Sequence, residues 1–354
     1  MSAAGLARRT AVEIAFAGED ITASIRPYLL SVTYTDNEEE KTDDLQIRLE
    51  DRDSIWLEAW LQDAIEAASA EKLSIDALLL RKNWKSDGGD LVLPFGEFEL
   101  DTVAASGPPA VIAIKGTSLP FSAPVRQTKR TKTWENIPLS GIVAEIAGKN
   151  AMTFLYESAN DPFYTRVEQK DTSDIAFLTK LCYDAGIALK VTRRIIVCYD
   201  QAEYEVKDGV YTIRRGGGYT KYKLNIGSAD TQYASCRVSY VDPATGKCIE
   251  GTARTEDYNA KAKNNQQLEV KAKVKDKEEA KALAKKHLRQ KNRYAKTAVF
   301  DLPGNPELAV GLTVMVEGFG GFDGKYIIVK AVHTVSGNGG YVTQISLCQV
   351  LEGY

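Results

Sequence analysis

Two histidines, five cysteines and 48 carboxylates are the first candidates for a catalytic centre in this 354-residue chain. His287 falls on the apolar stripe of a helical pattern and His333 inside a strand pattern, so a Ser-His-Asp or Cys-His arrangement would have to recruit one of them as its base. Each is read as a packed structural histidine. Cys182, Cys198, Cys236, Cys248 and Cys348 are odd in number and widely spaced, without the Cys-x-x-Cys pairing of zinc or dithiol sites. They read as reduced, mostly packed thiols. Neither His-Glu-x-x-His nor Gly-x-x-x-x-Gly-Lys-Ser/Thr occurs, which removes the usual zinc and nucleotide signatures. Gly318 to Gly324 lacks the Gly-x-Gly-x-x-Gly spacing of a phosphate cradle and runs into a strand pattern, so it is read as a turn. Glu97 and Glu99, flanking Phe98, could suggest the carboxylate pair of a glycosidase. Their alternation with Phe98 and Leu100 is that of a half-exposed strand with its acids on the wet face. No catalytic, cofactor-binding or metal-ligating residue is assigned, no cofactor is expected, and the chain is read as not an enzyme.

The elements around these residues divide the chain into three segments. Residues 1–118 read as strands, with alternation at Val12–Phe16, Leu29–Tyr34, Asp44–Leu49 and Glu97–Val103. One amphipathic helix follows Asp53, where Ile55, Trp56, Trp60, Ala64, Ile65 and Ala68 recur at three- and four-residue spacing. The charged run Asn37 to Lys41 is expected to be a solvated loop. Gly107-Pro108-Pro109 separates two more strands, since neither proline can donate into a ladder.

Residues 119–215 change period and read as a small α+β domain. Leu139, Ile142, Val143, Ile146 and Ala147 share one face of a short helix. A second helix is capped by Thr172 or Ser173 and stopped by Gly186, and a hairpin of Ile187–Val191 with Ile195–Tyr199 follows. The run Arg126 to Lys132 is either a basic contact patch or a solvated loop, with the loop preferred. Gly216-Gly217-Gly218 is read as a flexible joint. In residues 216–354 strands at Cys236–Val241, Gln267–Val274, Thr313–Glu317, Tyr326–Val335 and Tyr341–Gln349 surround one basic helix, about Lys277 to Tyr294. The fold class is α+β, mainly β.

Composition sets the outer limits. With 45 basic and 48 acidic residues the formal charge is −3, so no overall field draws in a nucleic acid. No run of about 18 apolar residues is present, so no membrane-spanning helix is expected. The first residues carry Arg8 and Arg9 but no apolar signal core, so synthesis in the cytoplasm is expected.

Three groups of short motifs, in a fixed order, carry more information than any single residue. The first holds Phe95-Gly96-Glu97-Phe98-Glu99-Leu100-Asp101, Ser106-Gly107-Pro108-Pro109 and Ile112 to Gly116. The second holds Arg166-Val167-Glu168-Gln169, Ser173 to Leu178 and Ala185 to Val191. The third holds Glu279-Ala280-Lys281 with Leu288, Arg289 and Asn292, then Gly304 to Leu308 with Gly311, then Gly318 to Tyr326, His333 and Gly339 to Thr343. In this order the chain resembles the late-control-D family of phage tail hub proteins, a relative of the hub part of type VI secretion spike proteins. The resemblance implies two tube-type, β-barrel-like domains flanking the small α+β domain.

It also implies a structural baseplate hub of a contractile phage tail or a phage-derived bacteriocin. Such a hub is a homotrimer that adapts the hexameric tail tube ring to a trimeric central spike protein. The tape-measure protein and other baseplate subunits stand as further candidate partners. The chain departs from the family pattern between Leu61 and Leu73, where an alanine-rich helical piece replaces a short turn. It ends without a spike or lytic domain, so the spike is expected to be a separate chain. A cell-wall glycan hydrolase and a surface-binding tail-tip protein are the alternatives from other classes.

Overall fold

The computed structural model describes residues 7–38, 42–56, 73–85, 89–118, 124–192, 195–227, 232–243, 246–256, 258–261 and 265–351. The first strands are β1 (Arg9–Phe16), β2 (Glu19–Asp20), β3 (Leu29–Asn37), β4 (Asp44–Glu50), β5 (Ser74–Lys82), β6 (Leu91–Ser106) and β7 (Val111–Thr117). Their alternation buries Ile14, Leu45, Ile47, Ile75, Leu79, Phe98 and Ile112 in one core. The core is close-packed at Gly116, where a Cβ would lie 2.9 Å from Phe98 Cβ.

The middle of the chain supplies β8 (Lys129–Pro138), α1 (Leu139–Lys149), β9 (Thr153–Glu157), β10 (Phe163–Ser173), α2 (Asp174–Asp184), β11 (Ala188–Thr192), β12 (Ile195–Tyr199) and α3 (Gln201–Glu205). Leu139, Ile142, Leu178 and Ile196 lie in the interior of this unit. Ser173 caps α2, accepting from the Ala176 amide at 3.4 Å. Gly186 ends it at φ +69°, so close to the next unit that a Cβ would meet Lys286 Cβ at 2.6 Å.

The last part contains β13 (Tyr211–Arg214), β14 (Lys221–Ile226), β15 (Ser235–Val241), β16 (Cys248–Arg254), β17 (Gln267–Lys271), α4 (Lys277–Asn292), β18 (Lys296–Pro303), β19 (Thr313–Glu317), β20 (Gly324–Ser336) and β21 (Gly340–Gln349). It holds two cores. Phe300, Val314, Tyr326, Ile345 and Leu347 form one. Cys236, Val238, Ala280, Ala284 and Leu288 form the other, where α4 lies on a three-stranded sheet ordered β16-β15-β17.

The first and last parts share one 13-stranded sheet, ordered β14-β18-β21-β20-β3-β4-β7-β6-β5-β1-β2, with β19 on β20 and β13 on β19. The join is the antiparallel pair β20–β3, from Lys330 opposite Asn37 to Ser336 opposite Ser31. The fold is thus α+β and mainly β.

Four local expectations are corrected. Asn37 closes β3 and Glu38 is 3% exposed, so the start of the charged run is buried, because Glu38 meets Arg293; residues 39–41 lie outside the described residues. The run Arg126 to Lys132 leads into strand β8 instead of forming a loop. Three of its cations are paired, Lys129 with Asp171 (3.6 Å), Arg130 with Asp174 (3.4 Å) and Lys132 with Glu145. Gly216 to Gly218 is a turn inside one core, since Ile213 before it and Leu224 after it both pack around Phe300. Gln267–Val274 is a strand only as far as Lys271. Of the helix expected after Asp53, Trp56 is buried, while Trp60, Ala64, Ile65 and Ala68 lie outside the described residues.

Candidate functional site

The groups singled out for chemistry are dispersed and occupied by structural tasks. His333 is 1% exposed, stacked on Tyr34. The Leu308 carbonyl, which can only accept, takes its Nε2–H at 3.0 Å, and Nδ1 accepts from the Tyr341 hydroxyl at 2.8 Å. Burial lowers its pKa to about 4, so the ring is neutral. His287 sits on the inner flank of α4 beside Tyr183, and its Nε2 has no hydrogen-bond partner among the described residues. Burial lowers its pKa, with Asp184 opposing.

Cys182 and Cys198 are buried with their sulfurs 3.9 Å apart. Their shared hydrogen bond, then burial, drives the Cys182 thiol far up, away from a nucleophilic thiolate. Cys236 and Cys348 are buried and Cys248 is exposed. Glu97 is exposed on β6 opposite Asp76, and Glu99 opposite Ser74. Gly318 to Gly324 is a turn closed by Asp323, which accepts from the Phe319 amide at 2.6 Å. Among the described residues no three His, Cys, Asp or Glu side chains gather as a metal site, and no helix is long and apolar enough to cross a membrane.

Two larger arrangements stand out instead. The first is an eight-strand arc, β14-β18-β21-β20-β3-β4-β7-β6, whose one face is mostly polar, with Val299, Val332 and Val342 among its polar residues. One cross-strand row on it reads Thr334, Thr33, Gln46, Lys115, Thr102. Another holds Asp301 and Gln344, which donates to Asp301 at 2.6 Å. The opposite face carries the buried Phe300, Ala331, Tyr34, Leu45 and Ile114. Both ends of the arc are open among the described residues. β14 pairs only with β18, and the Thr102–Ser106 half of β6 pairs only with β7, because β5 accompanies β6 no further than Glu99.

The second arrangement is an ionic junction between units. Lys286, Arg289 and Arg293, at i, i+3 and i+7, share one flank of α4 and its C-cap. They meet Asp200 (3.1 Å), Glu205 and Glu38. Glu38 also accepts from the Tyr199 hydroxyl at 3.4 Å, which links β3, β12 and α4 at one carboxylate. Beside it Asp36 accepts from Lys190 Nζ at 2.6 Å and from the Val310 amide at 3.1 Å. No sequence signal pointed to these pairs, whose partners lie up to 274 residues apart.

Residues 120–339 match the family model described as phage tail baseplate hub (GPD). The chain belongs to that baseplate hub family. A probable baseplate hub protein of Escherichia phage 186 is 27% identical to the hub chain over 189 residues, which is 53% of this chain. The match spans 44% of that relative, less than half its length. Among solved structures, the 43 kDa tail protein of prophage MuSo2 from Shewanella oneidensis superimposes with a TM-score of 0.68 at 12% identity, covering 96% of this chain and 98% of that one. A type VI secretion system component of E. coli, c3393, gives a TM-score of 0.55 at 12% identity, over 99% and 77% of the two chains. At such identities the two likenesses bear on the fold of the hub chain alone.

Proposed function

We propose that the hub chain is a structural, non-catalytic subunit of a contractile tail or tail-derived bacteriocin, three copies of which close into a ring between a six-fold tail tube and a three-fold spike. The eight-strand arc carries this proposal. Its polar face suits a water-filled interior, and its open edges belong to different strands, β14 and β6, so pairing one with the other of a second copy is a head-to-tail contact, the kind that builds a ring and not a two-fold pair. An edge strand left bare invites pairing. β14 is such an edge, and its own Tyr222 and Ile226 are 51% and 53% exposed.

Residues 1–118 and 216–354 each bring one core to the shared 13-stranded sheet, so three copies offer six, which matches a six-membered tube ring; the core beneath α4 belongs to the separate three-stranded sheet. Residues 119–215 supply the unit between them, apart from β13, which pairs with β19. Tube, spike, tape-measure protein and other baseplate subunits are the partners on this view, and the assembled place is the baseplate. Native mass spectrometry of the purified chain, alone and with tube and spike proteins, tests it. Trimers that bind one tube ring are expected; a monomer or a hexamer in every mixture overturns the ring.

A further inference from the structure

A cleft of about 630 Å3 lies between the middle unit and the sheet that carries α4. Leu181, Ala185 and Tyr164 border it on one side and the α4 residues Leu283 and Lys286 on another. A further wall is the chain from Val270 to Lys273, and three carboxylates also line the cleft: Asp184, Asp200, which pairs with Lys286, and Glu279, which accepts from the Lys275 amide. Side chains of a strand alternate between faces, yet Val270 and Lys271, the last two residues of β17, both border the cleft, so the end of the strand turns its edge toward it, and Ala272 and Lys273 continue the chain beyond the paired strand. β17 pairs with β15 alone among the described residues, and its second edge opens on the cleft.

The two sides of that edge differ. Val270 and Ala272 pack toward α4, whereas Lys271 and Lys273 are exposed and enter no ion pair among the described residues. The neighbouring cation Arg237 is already paired with Glu250 and Glu269, and Lys286 with Asp200. The surrounding stretch, residues 233–293, holds 15 Lys and Arg against 8 Asp and Glu, in a chain of net charge −3.

We propose that this cleft is a docking site for an extended polypeptide, which adds to β17 as a fourth strand and alternates acidic with apolar side chains. The acids face Lys271 and Lys273, and the apolar side chains face Val270, Ala272 and Leu283. Unpaired strand N–H and C=O groups are what a polypeptide backbone matches and a phosphodiester backbone does not. The site stands independently of ring closure.

The probe is a fluorescein-labelled peptide of about ten residues alternating valine and glutamate, titrated against the full chain by anisotropy. Saturable binding is expected, about three- to tenfold weaker for Lys271→Glu with Lys273→Glu, and weakened by salt. Hydrogen exchange at residues 268–273 is expected to slow when the peptide binds. No binding, equal binding of a valine-lysine peptide, affinity unchanged in the double variant, or no protection at 268–273 each overturns the proposal. Because both lysines are exposed, circular dichroism of the double variant should match the parent, so that a loss of binding reports the site.

Discussion

Replacing Glu38 with glutamine removes a charge and almost no volume. In the parent, Glu38 and Arg293 are each 3% exposed and ion-paired, so the substitution leaves a buried guanidinium without its carboxylate. Breaking a buried pair from one side costs about 3–5 kcal/mol, against a total stability of about 5–15 kcal/mol for an ordinary domain. Glutamine keeps an oxygen for the Tyr199 hydroxyl, which places the expected loss near the lower figure. With a urea dependence of about 2–3 kcal/mol per molar, the transition that frees α4 should move down by about 1–2 M. Urea titration read by hydrogen exchange in residues 277–292 measures it. The companion variant, Glu38→Gln with Arg293→Met, removes both charges and should recover part of the loss, since the desolvation cost then disappears from both sides. A single variant within about 0.5 kcal/mol of the parent, or a double variant no more stable than the single, would refute the assignment of the junction as a structural lock.

Two further outcomes follow from the buried contacts. His333 has its pKa lowered to about 4 by burial, so the unfolded chain takes up its proton more readily than the folded one. The contribution is complete above about pH 6.5 and is lost as pH falls toward 4, a loss of up to about 3 kcal/mol; the stability–pH curve of His333→Gln should lack that slope. Gly116→Ala should cost about 1–3 kcal/mol in thermal unfolding, because the added Cβ falls 2.9 Å from Phe98 Cβ and 3.5 Å from Ile75 Cδ1 in a filled core.

Local pattern carried much of the secondary structure. The strand Asp44–Glu50, the Ser173-capped helix, the antiparallel pair of β11 with β12 and the basic helix from Lys277 are legible because each has its own period or cap. β18 was missed although Ala298, Phe300 and Leu302 alternate, since it follows almost directly on the helix and shows no turn signal of Gly or Pro before it. The fusion of the first and last parts through β3 and β20 lies beyond local reading. Its register is set by partners about 300 residues apart, and both strands alternate as half-exposed strands whichever neighbour they take. The same holds for Glu38 and Arg293. A charged run resembles a solvated loop until the fold brings an opposite charge against it. His287 and His333 could be read as structural because both fall in apolar patterns, but the partners of His333 could not.

The ring of three is tested most directly by quantitative mass spectrometry of sedimented tail particles, counting this chain against the tube subunit. Three copies per particle, half the number in one six-membered tube ring, is the predicted result. Six or more copies, or absence from the particle, would contradict it.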